Sequence, residues 1–170
     1  MSRVVIVSGT KSFDDYKLVK KTLLRYIKDH YLDINDIEIV TGDVPGASRL
    51  GVKFAEEYRL AVSKFQMSPE KYGDAADWVR NEQMAVYAGA RNGVVFAFWD
   101  GESQGTASML KLAKKHNLEI HTLLYKGEAI APKTALDVNG VFGLYQDSNK
   151  NEVVDNMNDL YDLDPSIRSF

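Results

Sequence analysis

Apolar residues along the first 124 positions follow two alternating rhythms. Short continuous runs at Arg3 to Ser8, Ile37 to Thr41, Ala61 to Phe65, Val94 to Phe98 and Leu118 to Leu124 read as buried strands. The third run carries Lys64 inside it and is placed nearer a sheet edge. Between the runs, apolar positions recur at helical spacing. They are Tyr16, Val19, Leu23 and Tyr26–Ile27, then Leu50, Phe54 and Tyr58, and later Met109, Leu110, Leu112 and Ala113. A further helix is predicted from about Asp74 to Ala88, after a loop of turn formers from Gln66 to Gly73. Asp14 or Asp15 is suited to cap the first helix.

Strands alternating with helices in this way predict an α/β fold. The expected form is a Rossmann-like, doubly wound, mostly parallel five-stranded sheet with helices on both faces, over residues 1–124. After Tyr125 the rhythm fails. Pro132, Asn139-Gly140 and the apolar run Val141 to Tyr145 point to an appended strand or hairpin. Val153–Val154, Met157, Leu160 and Tyr161 are spaced for one amphipathic helix. Residues 125–170 are therefore read as a C-terminal extension, packed on the same domain or on a partner in a homo-oligomer.

Composition narrows the classes. A chain of 170 residues, 45% hydrophobic, is long enough for one well-formed core. Cysteine is absent, which removes disulfides and thiolate metal sites and fits a reducing compartment. The opening MSRVVIVSG is too short for a signal sequence or a membrane span, so a soluble, cytoplasmic protein without a membrane partner is expected. The net charge of −3 is uneven: from Tyr125 onward there are four Lys/Arg against eight Asp/Glu, and before it 17 against 16. No basic stripe interleaves with aromatics, so duplex nucleic acid is not an expected partner.

Ligands of open parallel sheets sit beyond the carboxyl ends of the strands. Three strand-ending turns there are rich in glycine and small polar residues: Ser8 to Phe13, Thr41 to Ser48, and Trp99 to Thr106. Such turns let a ligand approach the backbone, and the helix starts behind them attract anions, above all phosphate. Contact candidates are Gly9, Thr10, Lys11 and Phe13 in the first turn and Gly42, Asp43, Gly46 and Ala47 in the second. The third offers Trp99, Asp100, Gly101, Ser103, Gly105 and Thr106.

Lys11 and Arg80 are the cations best placed for a phosphate. Arg80 either grips it bidentately or forms an ion pair with Asp77 or Glu82. Trp99 and Phe13 either stack on a nucleobase or pack beneath the loops. Asp43, Asp100 and Glu102 are acid/base candidates without a recognisable pairing, so no catalytic residue is assigned. His30, His116 and His121 lack metal-ligand spacing, and His116 at a helix end reads as structural. Neither a metal nor a cofactor is expected. No nucleophile elbow, Walker loop or zinc motif occurs.

Four motifs in order resemble the SLOG superfamily, the Rossmann-like group of the LOG phosphoribohydrolases, DprA and nucleotide-sensor domains, and above all its small YspA-like branch. Gly9-Thr10-Lys11-Ser12-Phe13 is similar to that branch's Gly-Ser-Arg-x-Phe. Val40 to Ser48 is similar to its Gly-Gly-Ala-Arg-Gly-Ala-Asp turn, one residue longer. Tyr72-Gly73, Arg80-Asn81 and Met84 resemble its helix signature, and Phe98-Trp99-Asp100-Gly101 through Gly105-Thr106 its fourth-strand turn. The resemblance implies a nucleotide-derived ligand, such as an ADP-ribose-like molecule or a cyclic nucleotide, and adds Asn81 to the contact candidates.

Departures bear on chemistry. Pro45 or Val44 stands near the second turn's usual arginine, Ser48 replaces its aspartate, and Lys11 replaces an arginine. The LOG enzymes carry Pro-Gly-Gly-x-Gly-Thr-x-x-Glu, and the position of their catalytic glutamate is Met109 here. The resemblance thus implies binding without turnover, as a sensor or a sequestering protein. Two other readings stay open. One is a nucleotide hydrolase or transferase using Asp43, Asp100 or Glu102, and the other is DprA-like nucleic-acid binding.

Overall fold

A computed structural model describes residues 2–124, and the backbone of Leu136–Asp137, Gly143–Gln146 and Asn151–Val154. The five hydrophobic runs form the parallel strands β1 (Arg3–Gly9), β2 (Ile37–Thr41), β3 (Ala61–Lys64), β4 (Val94–Trp99) and β5 (Glu119–Leu124). They are joined by α1 (Tyr16–Asp29), α2 (Ala47–Tyr58), the short α3 (Pro69–Tyr72), α4 (Ala76–Gly89) and α5 (Gln104–Lys115). The strand order is 3-2-1-4-5, so the chain winds outward in one direction from β1 and then crosses to β4 to wind in the other. Right-handed crossovers place α1 with α2 on one face and α4 with α5 on the other. The expected doubly wound α/β fold is the observed one.

Burial follows the same logic. All six β4 residues are buried because helices cover the sheet's centre on both sides. Edge strand β3 has no fully buried residue, and its inclusion of a lysine is the sequence trace of that position. Helix α1 turns Val19, Leu23, Tyr26 and Ile27 inward, and Asp15 caps it by accepting from the Leu18 N–H at 2.9 Å.

Two local expectations change. The segment read as a loop from Gln66 to Gly73 contains α3, with Pro69 in its first turn, where the missing N–H costs nothing. Val153 and Val154 lie in a strand, consistent with the extended preference of β-branched residues. That strand, β8 (Asn151–Val154), pairs antiparallel with β7 (Gly143–Gln146), and β6 (Leu136–Asp137) pairs antiparallel with β5. The helix expected around Met157, Leu160 and Tyr161, and its packing against a domain or partner, lie outside the described residues. No described helix is long and apolar enough to cross a membrane.

Candidate functional site

Because the five strands are parallel, the turns after β1, β2 and β4 emerge at the same end. Contacts bind them into one surface. The Thr10 N–H donates to the Phe98 carbonyl at 3.0 Å, and Thr10 Oγ1 accepts from the Asp100 N–H at 3.1 Å. The first turn is thereby fixed to the third at the switch point between β1 and β4, where ligands of this architecture sit. Gly46, at φ +87°, brings the second turn against the first, and a Cβ there would lie 2.2 Å from the Thr10 carbonyl oxygen. Only glycine combines that backbone with that approach. Gly9 and Lys11 belong to the same junction, with Gly9 packed on Ala47 and the exposed Lys11 giving its backbone to Gly46.

Helix α4 completes the site from the side. Arg80 is 5% exposed, and its guanidinium crosses Gly42, where a Cβ would stand 2.7 Å from Nε. Its Nη2 donates to Asp77 and, at 3.0 Å, to Asn81 Oδ1. Asn81 Nδ2 in turn donates to the Gly105 carbonyl at 3.4 Å, linking α4 to the start of α5. Nε and Nη1 of Arg80 are buried with no partner among the described residues. A desolvated guanidinium with two unused nitrogens is costly unless an anion completes it. Of the two ion pairs considered for Arg80, the one to Asp77 forms. Glu82 instead meets Lys115 and His116, each at 2.8 Å.

Other candidates take positions that limit what they can do. Trp99 is fully buried, and its Nε1 donates to the Ser103 carbonyl at 3.0 Å, so the indole supports the third turn from below and offers no face for stacking. Phe13 is likewise buried, its ring stacked on Phe98 at a centroid distance of 5.0 Å. Both aromatics take the packing alternative because apolar rings at strand ends complete the core. Asp100 Oδ1 accepts from the N–H groups of Glu102 at 2.9 Å and Ser103 at 2.8 Å, an Asx turn with Gly101 at φ +82°. The carboxylate thereby fills two donors that the turn was expected to offer an anion.

Asp43 sits at φ +52°, donates its N–H to Thr41 Oγ1 at 2.9 Å, and pairs Lys64 at 3.2 Å. Ala47 and Thr106 are buried at the helix starts, where neither α2 nor α5 receives a side-chain cap. Those uncapped starts retain their positive ends toward the site. Asp77, in sequence only an alternative ion-pair partner for Arg80, belongs to the site. Its i,i+3 spacing from Arg80 is the signal that marks it.

The strongest carboxylate perturbation lies at the opposite, amino end of the strands. Glu119 gains a raised pKa from burial, but hydrogen bonds with His121 and Tyr26, and attraction to His121 and Arg3, outweigh it and hold the carboxyl at about 2. Burial pushes the Tyr26 phenol up to about 12, against the hydrogen bond from Arg3, with a lesser upward contribution from its hydrogen bond to Glu119. This network joins β1, α1 and β5 far from the turns, so it belongs to the scaffold. Among the described residues no cluster of His, Asp or Glu is arranged to hold a metal ion. No protein-family model matches the chain, and no curated protein sequence matches it either.

Proposed function

We propose that this protein is a SLOG-like binding protein that holds a nucleotide-derived small molecule at the carboxyl ends of its strands, through a phosphate on Arg80, without turnover. An ADP-ribose-like molecule or a cyclic nucleotide fits the reading, with the protein acting as sensor or sink. The observation that carries it is the buried guanidinium of Arg80, with Nε and Nη1 unpartnered among the described residues. The uncapped starts of α2 and α5 favour the same charge. The four SLOG-like motifs supply three of the converging turns and the helix that carries Arg80.

Binding without turnover is supported by what two of the three candidate acids are doing, the third, Glu102, being exposed. The Asp100 carboxylate is engaged by its own turn, Asp43 is paired with Lys64, and Met109 is buried in the core. The test is incubation with a panel of nucleotides, read by mass spectrometry. Recovery of intact ligand on the protein is expected. Released base or ribose phosphate would replace the reading with a hydrolase or transferase, and failure to retain any nucleotide would overturn the site. Arg80→Ala should cost about 2–3 kcal/mol of affinity, the scale of a charge-assisted hydrogen bond.

A further inference from the structure

Arg80 does not present an open fork. A guanidinium carries five N–H bonds, one on Nε and two on each Nη. Two outward edges offer a parallel pair to an oxyanion, Nε with Nη2 and Nη1 with Nη2, and both need a hydrogen of Nη2. Asp77 and Asn81 both accept from Nη2. Each bidentate edge therefore shares Nη2 with protein acceptors already in place, while Nε and Nη1 stay buried and unpartnered among the described residues. The two acceptors differ in how firmly they are held. Asn81 is 4% exposed and tied through Nδ2 to the Gly105 carbonyl. The Asp77 side chain is 48% exposed and touches the guanidinium through one oxygen.

We propose that Asp77 is a built-in competitor for the anion site, a carboxylate latch that a phosphate displaces to open the Arg80 fork. The proposal rests on reading Arg80 as the anion anchor. Exchange is favoured because a one-oxygen, half-exposed contact gives way to a two-pronged one that also satisfies a buried orphan nitrogen. The other Asp77 oxygen, Oδ2, already lies 3.6 Å from where a Cβ on Gly105 would stand, beside the start of α5, so the carboxylate holds the ground a phosphate would take. The latch makes the site selective, since a weak or singly charged anion must first compete with a carboxylate already in place.

The test uses inorganic pyrophosphate as probe, with calorimetric affinity for the wild-type chain, Asp77→Asn, Asp77→Ser and Arg80→Lys. Melting curves verify folding, which the exposed position of Asp77 spares. Both Asp77 variants should bind pyrophosphate about fivefold tighter, the scale of one half-exposed ion pair, and Arg80→Lys should weaken binding. Binding by the Asp77 variants alone, with none by the wild type, also supports the latch. Equal or weaker binding by both Asp77 variants, with Arg80→Lys still impaired, overturns the latch and leaves the anion site standing. Pyrophosphate binding that ignores Arg80→Lys, or that no variant shows, overturns the site and the latch together.

Discussion

Gly42→Ala separates the site from the scaffold more cleanly than any substitution of a charged residue. Gly42 does not need a positive φ, so alanine meets no backbone penalty there. What the new methyl meets is Arg80, with Nε at 2.7 Å, Cζ at 3.0 Å and Cδ at 3.1 Å. Ordinary contact begins at 3.4 Å, so Nε must retreat by about 0.7 Å. The hydrogen bond from Nη2 to Asn81 is 3.0 Å long, and a shift of that size carries it past the useful limit. A guanidinium displaced by that distance no longer meets a bound phosphate in register, and loss of one charge-assisted bond to the anion is worth roughly 1.5–3 kcal/mol, so nucleotide or pyrophosphate affinity should fall by about tenfold to a hundredfold. Overall stability should fall by no more than about 2 kcal/mol, because the strands and core are untouched. Calorimetric titration beside a urea unfolding curve measures both. Unchanged affinity in a folded Gly42→Ala protein would refute the placement of the anion on Arg80.

The remaining predictions probe other parts of the arrangement. Gly105→Ala adds a methyl that meets only Asp77 Oδ2 at 3.6 Å, so stability should rise by about 0.5–1 kcal/mol; thermal unfolding checks this, and a fall would refute the open-space reading. The depressed pKa of Glu119 means that its stabilisation is complete above the unfolded value of 4.5 and is lost as the pH falls toward about 2. Glu119→Gln should therefore lose roughly 1–2 kcal/mol at neutral pH, the shift discounted for solvent screening of a part-exposed group, and show a flatter acid limb in urea midpoints, and parallel limbs would count against the network. Of the two tryptophans, Trp78 is 45% exposed and Trp99 is sealed, so acrylamide should quench emission in Trp78→Phe far less than in the wild type. Strong quenching in Trp78→Phe would show that the third turn opens.

Much of the fold was legible in the chain because burial on both faces leaves a simple mark. Val94 to Phe98 has no polar residue, and β4 is the strand most completely covered. Lys64 marks the edge strand β3. Asp15 as a cap and the spacing of Val19, Leu23 and Tyr26 are local matters, settled within a few residues. Segment 69–72 is helical where turn formers predict a loop, because Pro and Ser start helices as readily as they make turns, and only the neighbouring packing decides between the two.

The candidate site divides along the same line. Glycine-bearing turns at the ends of hydrophobic runs, with a helix behind each, are properties of consecutive residues and could be read from the sequence alone. The meeting of Gly46 with Thr10, the laying of Arg80 across Gly42 and the sealing of Trp99 beneath Ser103 join residues that are distant in the chain or depend on which way a loop folds. Parallel pairing in the order 3-2-1-4-5 brings those three turns to one end, and no local rule encodes that order. The sequence by itself determined the elements and the kinds of residue at their ends. Tertiary structure decided which nitrogens of Arg80 are taken and which are left, because hydrogen bonds are allotted among neighbours that only folding brings together.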